Sequence, residues 1–371
     1  MQIIFLCGAR DFHAMDWYRS ALRLFNQPRP IIITDLIGGE GYKILIDESD
    51  IVIKLFLLDK YLFRTQSSRG NVWRNILKAL AFPLQVMLIR KIAARHRNAI
   101  YYAHSMYYIW LAWASGLQFV GTPQGSDILL KPYKSRIFKI LSSYAMRSAL
   151  FITVDSSKMA DGVERLTGER PMVVQNGIDL NAISRIKKTA DIRADQPPRR
   201  VVSFRGFTDL YRISQIICAR NCSRKNNNTG LTFIYPFHDD IYKNSLVSYL
   251  REDDLLLGRL SRDEMYRVFH SMLLGISIPS SDSSPRTVYE AIFCDAIVAI
   301  AQEQYYFDLP LSMKSRIILV DLGDEEWFDK ATERAESLRQ TEFAPCDIAI
   351  SMFDQLLSFQ TIHLHAINKI L

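Results

Sequence analysis

The chain has 371 residues, too many for one hydrophobic core, so two domains are expected. Hydrophobic residues make up 49% and charged residues 23% of it, a globular composition that excludes the disordered and fibrous classes. No apolar run approaches the about 20 residues that a membrane-spanning helix needs, and the opening MQIIFLCGAR is typical of a buried strand rather than a signal peptide.

The first half of the chain alternates short β-rich runs with helical patterns. In chain order the runs are QIIFLCG, RPIIITD, DIVIKLF, AIYYAHS, QFVGTPQG, LFITVDSS and PMVVQNG. Each ends in small or polar residues and most are followed by an amphipathic stretch, which indicates βα units around a parallel sheet. We therefore expect an α/β domain over residues 1–185.

The loop after the first strand, CGARDFHAMDWYR, is rich in polar side chains, and a first βα loop faces the ligand cleft. Its candidate cleft residues are Gly8, Arg10, His13 and Asp16, with His13 as a candidate catalytic group. His104 ends a later strand run, and for both histidines a structural role is the alternative.

The segment TPQGSDIL offers Gln124 and Asp127 as further cleft candidates. The alternative for Asp127 is that it only caps a helix after an ordinary turn.

The net charge is +7, and two basic clusters in this half contain no acid. They are RNILKALAFPLQVMLIRKIAARHR, residues 74–97, and KPYKSRIFKILSSYAMR, residues 131–147. Basic residues interleaved with bulky apolar ones predict peripheral contact with an anionic membrane, and a solvated face on core helices is the alternative. Nucleic acid would use the same charges, but the chain has no recognition module, so no nucleic-acid partner is expected.

The stretch AISRIKKTADIRADQPPRR loses periodicity and gains charge and two prolines, which predicts a linker near residues 181–199. A second series of strand runs follows, so we expect another α/β domain over residues 196–350 and a C-terminal helix in 351–371 that packs back on the first domain. These runs are RVVSFRG, LTFIYPF, DLLLGRL, LLGISIPSS, AIVAIAQ and RIILVDL. Two open α/β domains in tandem would form a ligand cleft at the carboxyl ends of their strands.

The segment IPSSDSSPRTVYEAIF, residues 278–293, has the composition of an anion site. Pro285 suits the first turn of a helix, and Ser283 or Ser284 is expected to cap it. The positive helix end favours a diphosphate, while Asp282 and Glu290 can accept hydrogen bonds from sugar hydroxyls. The alternatives are that Asp282 is a simple helix cap and that Glu290 is an exposed helix acid.

Asp282 followed by Glu290 eight positions later, after a strand ending in Pro-Ser, resembles the signature of family 4 retaining glycosyltransferases, which have the GT-B fold. LLLGRLSRDEMYRVFHSM, VVQNGIDL and TPQGSDIL with FITVDSSKM are similar to other segments of that family, in the same order. The resemblance covers most of residues 100–300 and is to members that build bacterial surface polysaccharides such as O-antigen and capsule.

The resemblance implies two Rossmann-like domains and a retaining transfer of sugar from a nucleotide sugar to a lipid-linked or polysaccharide acceptor. It implies no cofactor and no metal, because Arg205, Arg212 and the helix end at Ser284–Thr287 would meet the charge of the leaving diphosphate. The resemblance further implies that this sugar transfer takes place at the cytoplasmic face of the inner membrane. The donor-binding residues expected are Glu290, Ser283, Ser284, Arg286, Thr287, Gly258 and Leu260. The catalytic candidates are Asp282, Arg205 and Arg212, together with His13 from the first βα loop.

The chain departs from the family pattern in several places. Asp282 stands where the family usually has a glutamate, and Ser283 and Pro285 stand in place of two glycines. The tripeptide that begins at Asp295 stands in place of the usual Gly-x-Pro. Gln124 stands where many members have a histidine that contacts the donor sugar. Two other functions therefore remain open: a sugar-nucleotide 2-epimerase of the same fold, and a non-catalytic protein that binds sugar nucleotides in an assembly complex.

Overall fold

The computed structural model describes residues 1–8, 11–25, 27–38, 47–55, 58, 61, 68–190, 200–226 and 228–371. These residues form two compact units, Met1–Gly177 with Met352–Leu371, and Ile178–Ser351. Arg10 and residues 191–199 of the predicted linker lie outside the described residues.

The first unit contains a parallel sheet whose central strands are rich in isoleucine and tyrosine and buried on both faces, as parallel strands covered by helices are. Its described strands run in the order β3-β2-β1-β4-β5-β6-β7. They are β1 Gln2–Leu6, β2 Ile31–Thr34, β3 Ile51–Lys54, β4 Ala99–His104, β5 Phe119–Thr122, β6 Phe151–Val154 and β7 Met172–Val173.

Helices flank this sheet, and the last of them comes from the end of the chain. That helix packs on the first one, where Phe359 and Ile362 share a buried cluster with Trp17 and Tyr18. The helices are α1 Phe12–Leu24, α2 Ser68–Arg95, α3 Met106–Ala114, α4 Gly125–Leu129, α5 Lys131–Lys134, α6 Arg136–Arg147, α7 Ser157–Thr167 and, at the C-terminus, Gln355–Ile370.

The second unit contains another parallel sheet, whose described strands run in the order β10-β9-β8-β11-β12-β13. The strands are β8 Val201–Ser203, β9 Leu231–Ile234, β10 Leu255–Gly258, β11 Leu274–Ser277, β12 Val298–Ala301 and β13 Ile317–Val320. The helices are α8 Leu180–Ala190, α9 Ile213–Cys222, α10 Asp240–Leu246, α11 Arg262–Ser271, α12 Arg286–Phe293, α13 Gln304–Phe307, α14 Leu311–Lys314, α15 Trp327–Arg339 and α16 Asp347–Phe353; the C-terminal helix of the first unit is α17.

The loss of structure predicted from residue 181 is wrong for residues 181–190, because α8 occupies them. The helix packs on α11 and buries Ala182, Ile183 and Ile186, and its Lys187 forms an ion pair with Asp295. The charged side chains of this segment obscured its apolar face in the sequence. The two units accordingly divide between residues 177 and 178.

The longest described helix is α2, with 28 residues and a proline at position 83. Across the part of the chain that the structure describes, no helix combines the length and the apolar character needed to cross a bilayer.

A buried histidine links α17 to the sheet. Nδ1 of His363 lies 2.6 Å from the hydroxyl oxygen of Tyr102, and burial lowers the pKa of His363 to about 4. In an unfolded chain the imidazole has a pKa of about 6.5, so between these two values the unfolded state binds a proton that the folded state does not.

We therefore predict that the free energy of unfolding falls as the pH drops from 6.5 towards 4, with about 2 kcal/mol of the loss at pH 5 due to His363. Urea titrations at several pH values should show a shallower dependence for His363→Asn. His365→Asn is the control on the same helix, because His365 is exposed, and it should keep the wild-type dependence. An unchanged dependence in His363→Asn would contradict this assignment.

Candidate functional site

The strand order of the second unit reverses between β8 and β11. The connections leaving these two adjacent strands run in opposite directions, which opens a crevice at their carboxyl ends. Two loops border that crevice, residues 204–212 after β8 and residues 278–285 after β11. The loops touch, because the backbone N–H of Ser280 donates to the carbonyl of Leu210 at 2.8 Å.

Arg205 connects the two sides of this crevice. Its Nη2 forms an ion pair with Asp282, and its Nη1 donates to Oγ1 of Thr287 at 3.0 Å. The guanidinium also lies 4.8 Å from the ring centre of Tyr211. Asp282 and Thr287 lie 77 and 82 positions after Arg205 in the sequence. These predicted site residues therefore meet at one point although Arg205 comes from a separate segment.

The structure corrects the predicted capping of α12. Pro285 stands at the N-cap and makes no side-chain cap bond, so neither Ser283 nor Ser284 caps the helix. Ser284 instead donates to the hydroxyl of Tyr289 at 3.5 Å. Asp282 is not the cap either, since its carboxylate accepts from Arg205 and from the N–H of Ser283. The positive end of α12 thus lies beside the Arg205 guanidinium, an arrangement that favours an anion.

Glu290 is buried, with only 3% of its surface exposed, so the alternative that it is an exposed helix acid is wrong. Its Oε1 accepts from the hydroxyl of Tyr266 at 3.0 Å and from Nε of Arg286 at 3.2 Å. Burial and the Glu290 charge raise the pKa of Tyr266 well above its usual value, so this tyrosine donates as a neutral hydroxyl. Sequence reasoning missed Tyr266, because a tyrosine inside an amphipathic helix looks like any core residue.

Arg212 differs from Arg205 in its charge environment. It ends a short 3₁₀ turn with a φ of 52°, the left-handed region that an arginine rarely adopts. Within the part of the unit that the structure describes, no carboxylate pairs with its guanidinium. Its positive charge is uncompensated there, whereas that of Arg205 is balanced by Asp282.

Gly258 is the last residue of the edge strand β10, and Leu260 lies in the turn between β10 and α11. Gly258 has a φ of 65°, which glycine adopts without strain. Ser261 caps α11 in a reciprocal arrangement with Glu264, as the Ser-x-x-Glu spacing indicates.

In the first unit the strand order reverses between β1 and β4. A cavity of about 270 Å³ lies at the carboxyl ends of β4, β5 and β6, and it brings together the predicted His13, His104 and Gln124. Its remaining polar lining comes from Asp11, Thr122, Thr153, Asp155 and Asn176.

His104 is the most unusual group in this cavity. It is buried, its ring packs edge-on to Trp17 at 4.7 Å, and its Nε2 has no hydrogen-bond partner among the described residues. Burial lowers the pKa of His104 to about 4, so the ring is neutral at physiological pH. A neutral nitrogen without a partner in a polar cavity is available for a hydrogen bond to a ligand hydroxyl.

Three residues of the cavity escaped the sequence reasoning. Asp11 accepts from Nε2 of Gln124 at 3.0 Å, and Asp155 accepts from Nδ2 of Asn176 at 2.9 Å. Burial raises the pKa of the Asp155 carboxyl. The sequence signal for Asp155 and Asn176 was present, because they lie in the polar segments VDSS and QNG at the ends of two strand runs. The last residue of QNG, Gly177, must be a glycine, because a Cβ there would overlap the backbone of Gln355.

Of the other predicted site residues of this unit, some line a second, larger groove and one is buried away from both the cavity and the groove. Gly8, Gln124 and Asp127 line a larger groove. Asp127 is not the N-cap of α4, which is Gln124, but it is the N3 partner in a capping box, where its Oδ2 accepts from the N–H of Gln124 at 3.2 Å. The same Oδ2 accepts from the N–H of Met106 at 3.0 Å. Asp16 is buried within α1 and lines neither the cavity nor the groove.

No family model and no curated protein matches the chain. Solved structures match it over nearly its whole length. HepE from Anabaena in complex with UDP has a TM-score of 0.70 and 16% identity, covering 99% of this chain and 100% of that one. A glycosyltransferase from Rickettsia africae has a TM-score of 0.65, 13% identity and coverage of 100% and 98%. Sucrose-phosphate synthase from Thermosynechococcus elongatus has a TM-score of 0.69, 12% identity and coverage of 98% of both chains.

The fold is GT-B. At these identities the likeness concerns architecture alone, and it confirms the predicted fold class of two Rossmann-like parallel-sheet domains. In this GT-B chain each unit places its polar cluster at the carboxyl ends of its strands, where open α/β sheets bind ligands.

The burial of Glu290 changes what its removal should do. Glu290→Ala would leave the Tyr266 hydroxyl and the Arg286 guanidinium without this acceptor, so we predict a loss of about 3 kcal/mol in unfolding free energy. Glu290→Gln keeps an acceptor for Tyr266 and should lose less. Urea denaturation of both variants measures the difference, and equal stability of Glu290→Ala and wild type would contradict the buried network.

Proposed function

We propose that this chain is a retaining glycosyltransferase that moves a sugar from a nucleotide sugar to a lipid-linked or polysaccharide acceptor of the bacterial surface. The observation that carries the proposal is the crevice of the second unit, where Arg205, Asp282 and Thr287 meet at the N-terminus of α12. HepE, a protein of the same fold, forms complexes with UDP and with UDP-glucose, which supports a nucleotide sugar as the donor.

The charge distribution fits a diphosphate leaving group. As the bond from the anomeric carbon to the phosphate oxygen breaks, negative charge accumulates on the diphosphate. Arg212 supplies an uncompensated positive charge, and the backbone N–H groups of Arg286 and Thr287 point out of the helix end. Asp282 holds Arg205 in place and balances its charge. Fixed cations and dipoles of this kind stabilise the leaving group, so we propose that no metal is required.

Glu290 would hold the ribose next to this diphosphate. It lies three residues after Thr287 on α12, one helical turn further from the phosphate end. Tyr266 and Arg286 fix the position of its carboxylate through Oε1. The turn with Gly258 and Leu260 would take the base.

The cavity of the first unit would receive hydroxyls of the acceptor sugar, with His104, Asp155 and Asp11 as hydrogen-bond partners. In a retaining transfer the acceptor hydroxyl attacks from the face of the leaving group, and the departing phosphate oxygen takes its proton. A neutral His104 then serves as a hydrogen-bond partner and not as the base. His13 stays a candidate catalytic contact to the acceptor, since the phosphate oxygen takes the proton.

The proposal is tested by thermal shift with a panel of UDP-, GDP-, TDP- and CMP-sugars, followed by assays of sugar transfer in EDTA. We expect one donor class to raise the melting temperature and support transfer. Arg212→Gln should lower kcat/KM by at least about 100-fold, because it removes a charge that stabilises the leaving group. Arg224→Gln is the control, an arginine of the same unit outside the crevice.

Three results would count against the proposal. Turnover that stops in EDTA and returns with Mg²⁺ would contradict the metal-independent mechanism. Donor consumption that yields an isomerised nucleotide sugar without an acceptor would identify a 2-epimerase instead, and donor binding without any turnover would indicate a non-catalytic protein.

We further propose that the first unit docks on the anionic cytoplasmic leaflet of the inner membrane. Helix α6 and the residues before it expose large apolar side chains, with Ile137 72% and Tyr133 69% exposed. Lys134, Arg136 and Lys139 are exposed beside them, and residues 131–147 contain no acid. Helix α2 carries a second exposed apolar stripe that includes Ile76, Leu80, Leu84 and Met87. Exposed apolar and basic residues on one helix are the features of an interfacial membrane surface.

Each basic group near an anionic surface contributes about 1 kcal/mol, and salt screens this attraction. We predict that the protein pellets with phosphatidylserine-containing vesicles at low salt and is released as the salt concentration rises. Lys134→Gln/Arg136→Gln/Lys139→Gln should weaken the binding at least tenfold. Lys225→Gln is a control on the second unit, and binding that survives the triple substitution would contradict the assignment to residues 131–147.

A further inference from the structure

The first unit contains an elongated groove of about 790 Å³ that no part of the donor chemistry uses. Its walls come from α2, α3 and the segment that includes α5 and α6. The volume falls within the about 300–1,000 Å³ of small-molecule sites. The apolar part of the lining consists of Leu36, Ala79, Phe82, Pro83, Met106, Tyr107, Tyr108, Trp110, Trp113, Phe138 and Leu141.

The two ends of the groove differ in chemistry. At the carboxyl ends of the strands it is polar, lined by Gly8, Asp11, Gln124 and Asp127. Further along it is aromatic, and Trp110 packs edge-on to Phe138 at 5.1 Å. A ligand that matches both ends must be amphiphilic, with a polar group at the strand ends and an apolar group among the rings.

The buried charges of the groove floor are already satisfied by each other. Asp35 accepts from Tyr108 and from Gln85 and lies 3.4 Å from Nζ of Lys78. That ammonium in turn lies 3.9 Å from the ring centre of Tyr107. Asp35 thus balances Lys78, and Asp127 balances Lys131 at 2.7 Å, so two of the three cations that line the groove already have a carboxylate partner. The apolar walls provide the attraction for a hydrocarbon chain.

The apolar end is continuous with the proposed membrane-facing surface. Trp113 and Leu141 line the groove and are 37% and 39% exposed. Leu141 belongs to α6, whose Ile137 and Ile140 are also exposed. Lys131 also lines this end, with its ammonium 5.6 Å from the Phe138 ring centre and paired with Asp127 at 2.7 Å. A hydrocarbon chain from a bilayer would enter the groove beside the apolar side chains of Trp113 and Leu141.

We infer that this groove binds the hydrocarbon chain of a lipid-linked acceptor and presents the acceptor's polar head at the strand ends. The inference rests on the proposed function and deepens it, because it selects a lipid-linked acceptor over a soluble polysaccharide. The hydrocarbon chain of the acceptor gains binding affinity from burial against the aromatic walls, and each buried methylene raises this affinity about fourfold.

The test uses butyl, hexyl and octyl glucosides below their micelle-forming concentrations, in the absence of vesicles, with calorimetry as the readout. We expect the Kd to fall at least tenfold from the butyl to the octyl compound. Ala79→Trp fills the groove from an exposed position of α2 and should abolish this dependence on chain length. Ala94→Trp is the matched control, an exposed alanine of the same helix outside the groove, and should keep it.

A second variant separates the groove from the outer helix surface. Ile140→Glu changes α6 outside the groove and should leave the chain-length dependence intact. Loss of the dependence in Ile140→Glu but not in Ala79→Trp would overturn the inference, as would equal Kd values for all chain lengths. Binding that depends on alkyl chain length, without sugar transfer from any donor, would support the lipid groove and refute the transferase. Sugar transfer to soluble acceptors, without any dependence of binding on chain length, would support the transferase and refute the groove.

Discussion

The arrangement of both candidate sites depends on one constraint, the reversal of strand order within a parallel sheet. All strands of such a sheet end at one edge, so the loops that leave the two strands at the reversal border a crevice there. Arg205 follows β8 and Asp282 follows β11, and their ion pair spans this point although 77 residues separate them. The same constraint in the first unit places Asp11 after β1 and His104 at the end of β4, where both line one cavity.

Charge compensation then separates structural charges from those that are available to ligands. A buried charge is tolerated when a partner balances it, as Arg220 and Asp254 do inside the second unit with Nη1 and Oδ1 2.9 Å apart. Glu290 with Arg286 and Asp282 with Arg205 follow the same rule near the crevice. Arg212 and the basic residues of α6 differ, because among the described residues no carboxylate pairs with them. The uncompensated cations are therefore where we place the diphosphate and the membrane.

The strands and most helices follow from the sequence, because apolar β-branched runs and helical periodicity are local signals. The Asp282 and Glu290 pair was also visible, since Asp282 lies in the loop after a strand and Glu290 in the helix that follows. The burial of Glu290 was not, because it depends on Tyr266 from another helix. Asp295 shows the same limit: it adopts a φ of 68° where glycine is usual, and Lys187 from α8 holds it there. A contact between distant segments leaves no trace in the local pattern.

The two candidate sites differ in their chemistry. The crevice of the second unit is built from charges and the dipole of a helix end, which suit a phosphate. The first unit leaves bulky apolar residues exposed on α2 and α6 and lines a groove with aromatic rings. Apolar surface of this extent in water is unfavourable unless something covers it. The proposed bilayer contact would cover the outer faces and the proposed lipid chain would cover the groove, so a lipid-linked acceptor would account for both features.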